Sequence, residues 1–176
     1  MMMKPGADGL SVRLFLGASY GGHSDGRSHT GSCVVIGDVG AVHCRSSKQL
    51  IVTKSSTEAE LVGLHDSANQ GTHIRSYLTA QGYTVGPVTI YQDNQPCMAL
   101  VERGRLGAEQ TRHIHIQYFW VKERVDTGEV RVEYLPSEDI YANMTKSLQG
   151  SQFERERDGL TGWTEGTMAN SGAREF

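Results

Sequence analysis

The chain has 176 residues, enough for one domain with a buried core. Its formal net charge of −3 and pI near 6.1 exert no overall pull toward nucleic acid, which leaves only a local basic patch to attract it. Cys33, Cys44 and Cys97 are odd in number, far apart and without a C-x-x-C pair. That pattern suggests neither a disulfide framework nor a cysteine zinc site, and it points to a reducing, intracellular compartment.

The opening MMMKPGADGL lacks the apolar stretch of a secretory signal, and no run reaches membrane-spanning length. Residues 1–10 read as a disordered leader, 11–163 as the folded domain, and the small, polar 164–176 as a flexible tail.

SVRLFLGASY (Ser11 to Tyr20) alternates apolar positions at Val12, Leu14 and Leu16 and predicts a strand. GGHSDGRSHTG reads as a turn-rich connector. SCVVIGDVGAVHCRSS divides at Gly37-Asp38 into two strands of a hairpin, giving a three-stranded antiparallel meander. From Ser55 the period changes. Leu61, Leu64, Ala68, Ile74 and Leu78 share one helix face, Gly71 weakens its middle, and Gly82 sits at a C-cap position. VTIYQ predicts a strand, PCMALVERG a short helix, and TRHIHIQYFWVKERVDTG an amphipathic helix closing at Gly128. EVRVEYLP alternates as the fifth strand. The stretch from Ser137 to Leu160 reads as helix in two pieces, broken near Gly150. The order βββαβααβα predicts an α/β fold in which helices flank a five-stranded mixed sheet.

Carboxylates recur at element ends. Glu60 lies in the first turn of the long helix, Asp93 follows the fourth strand, and Glu138 and Asp139 open the closing helix. Acids that converge from separate elements can hold a pair of divalent ions, Mg²⁺ or Mn²⁺, for phosphodiester hydrolysis. Each also has a plainer use. Glu60 completes an S/T-x-x-E capping box with Thr57 as N-cap, and Asp93 could cap NQPCMAL. Asp139 could serve the helix dipole, and Asp25 is a turn residue.

The remaining polar and aromatic residues favour surface or core roles. On a helix His113 and His115 face opposite sides, which disfavours a zinc pair. Tyr118, Phe119 and Trp120 read as core and rim. The basic residues Arg103, Arg105, Arg112, Lys122 and Arg124 are interrupted by Glu102, Glu109 and Glu123, giving a mixed surface.

GASYGGHSDGRSHTG, SSTEAELVGL, VTIYQDNQPCMAL, TRHIHIQYFWVKERVDTGEVRVEYLPSED and MTKSLQG resemble, in order, the blocks of the ribonuclease H domain of Ty1/copia-type retrotransposon Pol polyproteins. The resemblance runs from about Leu14 to about Leu160 and implies the ribonuclease H-like fold, two metal ions and RNA·DNA hybrid as the ancestral substrate. It also implies four acids. Two fall on Glu60 and Asp93. The other two positions carry Gly17 and Asn143, with local register around Asn143 unsettled. Ser19, two residues on and on the same strand face as Gly17, offers only a neutral hydroxyl.

A site built for four negative charges is left with two. The expectation is therefore a catalytically degenerate domain, kept as a binding or structural subunit with protein partners not named by the sequence. The alternative is an active Mg-dependent ribonuclease H rescued by Asp139 or Asp25. A fragment of an old element without selected function is a third reading.

Overall fold

Alternation in the first apolar run assigns the two faces of the sheet. In the computed structural model, which describes residues 9–37, 40–103 and 112–142, that run is strand β1 (Leu10–Ser19). It occupies the centre of a five-stranded sheet in the order β3-β2-β1-β4-β5. β1 pairs antiparallel with β2 (His29–Ile36), which pairs antiparallel with β3 (Ala41–Lys48). On its other side β1 runs parallel to β4 (Val85–Gln92), and β4 parallel to β5 (Val130–Tyr134).

Val12, Leu14 and Leu16 are fully buried on one face, with Val34 and Ile36 of β2 and Val88 and Ile90 of β4. Onto this face pack Leu61, Leu64 and Ala68 of α1 (Ser56–Ala80) and Ile114, Tyr118 and Val121 of α3 (Arg112–Asp126). Burying each such aliphatic side chain contributes about 1.5–3 kcal/mol, so this layer carries most of the hydrophobic stabilisation. Phe15, Cys33 and Val35 point the other way, toward Ile140 and Ala142. There Tyr91 stacks on Phe15 with centroids 5.3 Å apart, and Tyr141 lies against it at 4.8 Å.

The long helix is bounded by its own sequence. Ser55 is the N-cap, its hydroxyl accepting the Glu58 N–H at 3.2 Å. At the other end Gly82, with φ +88°, donates to the Thr79 carbonyl at 3.0 Å while Tyr83 donates to Leu78 at 3.1 Å. This is a Schellman closure, and glycine supplies its left-handed residue. Gly128, φ +72°, closes α3 in the same way through Val125 and Arg124.

Four details differ from the sequence reading. Gly71 does not weaken α1: the helix is continuous, and a Cβ there would meet Val88 Cγ1 at 2.7 Å, so the missing side chain lets helix and sheet approach. β2 begins at His29, inside the expected connector, because pairing with Ala18 and Ser19 extends it through polar residues. β1 starts at Leu10, one residue into the expected leader, where Leu10 is buried and pairs with Val85. Ser137–Asp139 forms a single 3-10 turn rather than an α-helix, and residues from Asn143 onward lie outside the described residues. Between β4 and α3 stands α2 (Gln95–Arg103).

Alanine ordinarily stabilises a helix by about 1 kcal/mol over glycine. At Gly71 the contact with Val88 should reverse that sign. Gly71→Ala is expected to lower the unfolding free energy by about 1–3 kcal/mol, the usual cost of overpacking. Gly86→Ala, where a Cβ meets nothing within 4 Å, should change it by no more than about 0.5 kcal/mol in the same urea titration.

Candidate functional site

The first turns of α1 run against the end of β1, and residues Glu58 to Leu64 are all buried. Two glutamates divide the work there. Glu58 belongs to the cap: its Oε2 accepts the Lys54 N–H at 2.8 Å while its own N–H bonds Ser55. The cap is therefore built by Ser55 and Glu58, with Glu58 reaching one residue past the N-cap to Lys54, and not by Thr57 and Glu60. Glu60, 5% exposed, is released from capping and turns to the sheet, where its Oε1 accepts the Ala18 N–H at 2.9 Å.

Ala18 is the residue after Gly17. Gly17 is buried and pairs across the ladder with Gly31, so two residues without side chains face one another at this point of the sheet. The parallel pairing of β1 with β4 ends at Phe15↔Tyr91, two residues before Gly17 on one strand and two before Asp93 on the other. Asp93 is half-buried, directly after the end of β4. The cap of α2 belongs to its neighbour Asn94, whose Oδ1 accepts the Cys97 N–H at 2.9 Å. Asp93 makes no hydrogen bond or ion pair among the described residues. The structure thus sets Glu60 on the Ala18 amide next to Gly17, and Asp93 directly after the end of the strand that neighbours β1.

Cys97 and Gln92, both fully buried, stand behind this corner. Burial pushes the Cys97 thiol up to about 12; the adjoining Gln92 side chain opposes that rise and the charge of Glu60 adds to it. The thiol is therefore neutral at physiological pH. Nothing in the sequence marks the Ala18 N–H as the anchor of Glu60, since a backbone donor has no residue signature. Asn94 was readable from Asn-Gln-Pro, a capping residue just ahead of a first-turn proline.

The other candidate acids do not join the pair. Asp25 sits in the β1–β2 connection, held by Lys48 at 2.6 Å and Arg27 at 3.6 Å. Hydrogen bonding from Lys48 holds its carboxyl below the usual range. Glu138 and Asp139 are exposed and line a cavity of about 410 Å³ with Arg13, Phe15, Tyr91, Leu135 and Tyr141. Among the described residues no three His, Cys, Asp or Glu side chains gather closely enough to hold a metal ion. Among the described residues Glu60 and Asp93, the first of them bound to a backbone amide, supply fewer oxygen ligands than a pair of divalent ions needs. Asn143, Arg105 and the side chains of Arg112 and His113 lie outside the described residues.

On α3, Tyr118 is buried in the core and Phe119 is exposed. Trp120 lies between His65 and the Arg124 guanidinium, each 5.1 Å away. His115 is half-buried, its ring 6.4 Å from that of Phe119. Lys122 pairs with Asp126 and Arg124 with Glu129, so these cations are balanced locally. No helix among the described residues is long and apolar enough to cross a membrane.

No family model matches the chain. Its relatives include the Pol polyprotein of transposon TNT 1-94 from Nicotiana tabacum, 26% identical over 81% of this chain and 11% of the polyprotein. The Pol polyprotein of transposon RE1 from Arabidopsis thaliana is 29% identical over 82% of this chain and 10% of its own length. The chain thus spans about a tenth of either relative. Among solved structures, the N-terminal RNase H domain of Rv2228c from Mycobacterium tuberculosis superimposes with a TM-score of 0.56 at 12% identity, covering 85% of this chain and 97% of that one. A foamy viral protease–reverse transcriptase in complex with RNA/DNA hybrid gives 0.50 at 12% identity, over 78% of this chain and 19% of its own.

The fold is that of ribonuclease H domains, and the homologues are Ty1/copia-type retrotransposon Pol polyproteins. In this ribonuclease H-like chain Gly17, the Glu60 carboxylate and Asp93 all lie near the C-terminal ends of the parallel strands β1 and β4, the end at which α/β sheets place their ligands.

Glu60 and Asp93 should respond differently to substitution. Glu60→Ala removes the acceptor of a part-buried N–H and should cost about 1–3 kcal/mol of stability, whereas Glu60→Gln keeps an acceptor and should cost less. Asp93→Asn removes no protein partner and should stay within about 0.5 kcal/mol. In the same thermal or urea melts, Ser55→Ala should cost about 1 kcal/mol, the usual worth of an N-cap.

Proposed function

We propose that this chain is a ribonuclease H-like domain of retrotransposon Pol ancestry that no longer hydrolyses nucleic acid and acts by binding it. One observation carries the reading: the carboxylate of Glu60 is bound to the peptide N–H next to Gly17, and among the described residues no three acids, histidines or cysteines gather to hold a metal ion. Glycine at position 17 brings no ligand and no charge to the centre of the crevice. Asn143, at the other position where the resemblance expects an acid, brings at most a neutral carbonyl. Two ions brought together there would meet half the expected negative charge, and a site that cannot hold them cannot use them to generate a nucleophile from water.

The ligand proposed is an RNA·DNA hybrid, the nucleic acid in the complex of the structurally similar foamy viral enzyme. A chain with a net charge of −3 would bind it through local cations rather than overall attraction, so its affinity should fall with added salt along a shallow slope. Service as a structural subunit within a larger assembly is compatible with the same loss of chemistry.

The test is incubation of the purified full chain with end-labelled RNA·DNA hybrid in Mg²⁺ or Mn²⁺. No cleavage is expected from the natural sequence, together with a hybrid-dependent rise in fluorescence anisotropy. The double variant Gly17→Asp/Asn143→Asp is expected to gain metal-dependent cleavage. Cleavage by the natural sequence that disappears in Asp93→Asn would overturn the proposal in favour of an active ribonuclease H.

A further inference from the structure

Two cysteines that lie far apart in the sequence meet on the outer half of the sheet. Cys33 of β2 and Cys44 of β3 are direct partners in the antiparallel register. Directly opposed residues of such a pair point to the same face, with Cα atoms about 4.5–5.5 Å apart. That spacing falls within the range a disulfide can bridge. The two thiols are already within hydrogen-bonding reach of one another, and both are free thiols in this structure.

Their surroundings are unequal. Cys33 is fully buried against Phe15 and Val35, while Cys44 is exposed on β3, the edge strand. A reagent from solvent can therefore reach only one of the two sulfurs directly. The hydrogen bond from Cys33 lowers the Cys44 thiol to about 7, so that sulfur is also the one that ionises near neutral pH. Thiolates, not thiols, attack disulfides. Cys97 completes the contrast, being buried and held protonated.

We propose that Cys33 and Cys44 form an oxidisable cross-strand dithiol, in which exposed Cys44 takes up a small-molecule disulfide and buried Cys33 resolves it. The Cys44 thiolate attacks one sulfur of a low-molecular-weight disulfide such as oxidised glutathione, forming a mixed disulfide and expelling one glutathione thiolate. The Cys33 thiol gives its proton to that released thiolate and attacks the Cys44 sulfur, expelling the second glutathione, which leaves as a thiol once protonated by water. The protein loses two electrons and the reagent gains two, ending as two thiols. The product staples edge strand β3 to β2 at the residue that pairs with Phe15, two positions from Gly17.

The test treats the full chain with oxidised glutathione, quenches in acid, alkylates in denaturant and maps the peptides by mass. The natural sequence should yield a Cys33–Cys44 cross-linked peptide with Cys97 alkylated. Cys33→Ala should retain one glutathione on Cys44 and react several-fold more slowly at neutral pH. Cys44→Ala should leave Cys33 unmodified. A stable mixed disulfide on Cys44 in the natural sequence, or preferential reaction at Cys97, overturns the proposal. Mapping of the natural sequence decides the matter even if a core substitution at Cys33 prevents folding.

Discussion

The hydrogen bond from the Ala18 N–H to Glu60 joins the N-terminal turns of α1 to the far end of the central strand, and the position of the crevice follows from it. β1 ends its pairing with β4 at Phe15↔Tyr91 but continues along β2 to Ser19. Its last residues therefore have a free side toward β4 where backbone donors need acceptors, since a buried amide without a partner costs about as much as a lost hydrogen bond. Glu60 answers that need from the helix. Because α1 is also fixed by the Ser55 cap and by its buried face, the carboxylate arrives at one position only.

Close packing between α1 and the sheet makes this reach feasible. A Cβ on Gly71 would sit 2.7 Å from Val88, and one on Gly63 would sit 3.2 Å from Leu16 and from Thr30. Both helix glycines thus mark places where the backbone nears the strands that carry the crevice. Their conformational cost, of the order of 1 kcal/mol each in a helix, is offset by the contact they permit. A polar tie reinforces the same seam: Gln49 Nε2 donates to Thr30 Oγ1 at 2.9 Å and to the Ala59 carbonyl at 2.8 Å, next to Glu60. The helix is consequently held at its first turns by side chains from two separate parts of the chain.

How much of this was legible from residues alone varies with the range of the interaction. The strands of Val12–Leu16 and Val130–Tyr134, the helix spanning Leu61–Leu78 and the glycine closures at Gly82 and Gly128 were readable, because alternation, helical period and left-handed caps are local properties. The choice between Ser55 and Thr57 as cap was not. Both begin an S/T-x-x-E sequence, and only the approach of the sheet to Glu60 decides which glutamate is left for the helix end. Likewise the start of β2 at His29 and the meeting of Cys33 with Cys44 depend on strand register, which no spacing in the sequence encodes. Glu60 and Asp93 could be singled out beforehand through the family resemblance, but their setting of a backbone amide, a glycine pair and a neutral buried thiol belongs to the folded chain.

If Gly17 and Asn143 stand where acids once stood, the survival of the fold has a physical reason. Four carboxylates converging in one crevice repel one another in the absence of bound cations, and each that remains charged there weakens the folded state. Such sites are commonly kept at the expense of stability for the chemistry they perform. Replacing an acid with glycine near the C-terminal end of β1 would remove the charge without disturbing the ladder, since position 17 pairs with Gly31 through its backbone. Glu60 then faces fewer like charges and retains its bond to Ala18. On the proposed reading, the substitution that would abolish hydrolysis also relaxes the electrostatics of the metal-free domain, and a binding role could persist on a scaffold that needs no ions to neutralise its crevice.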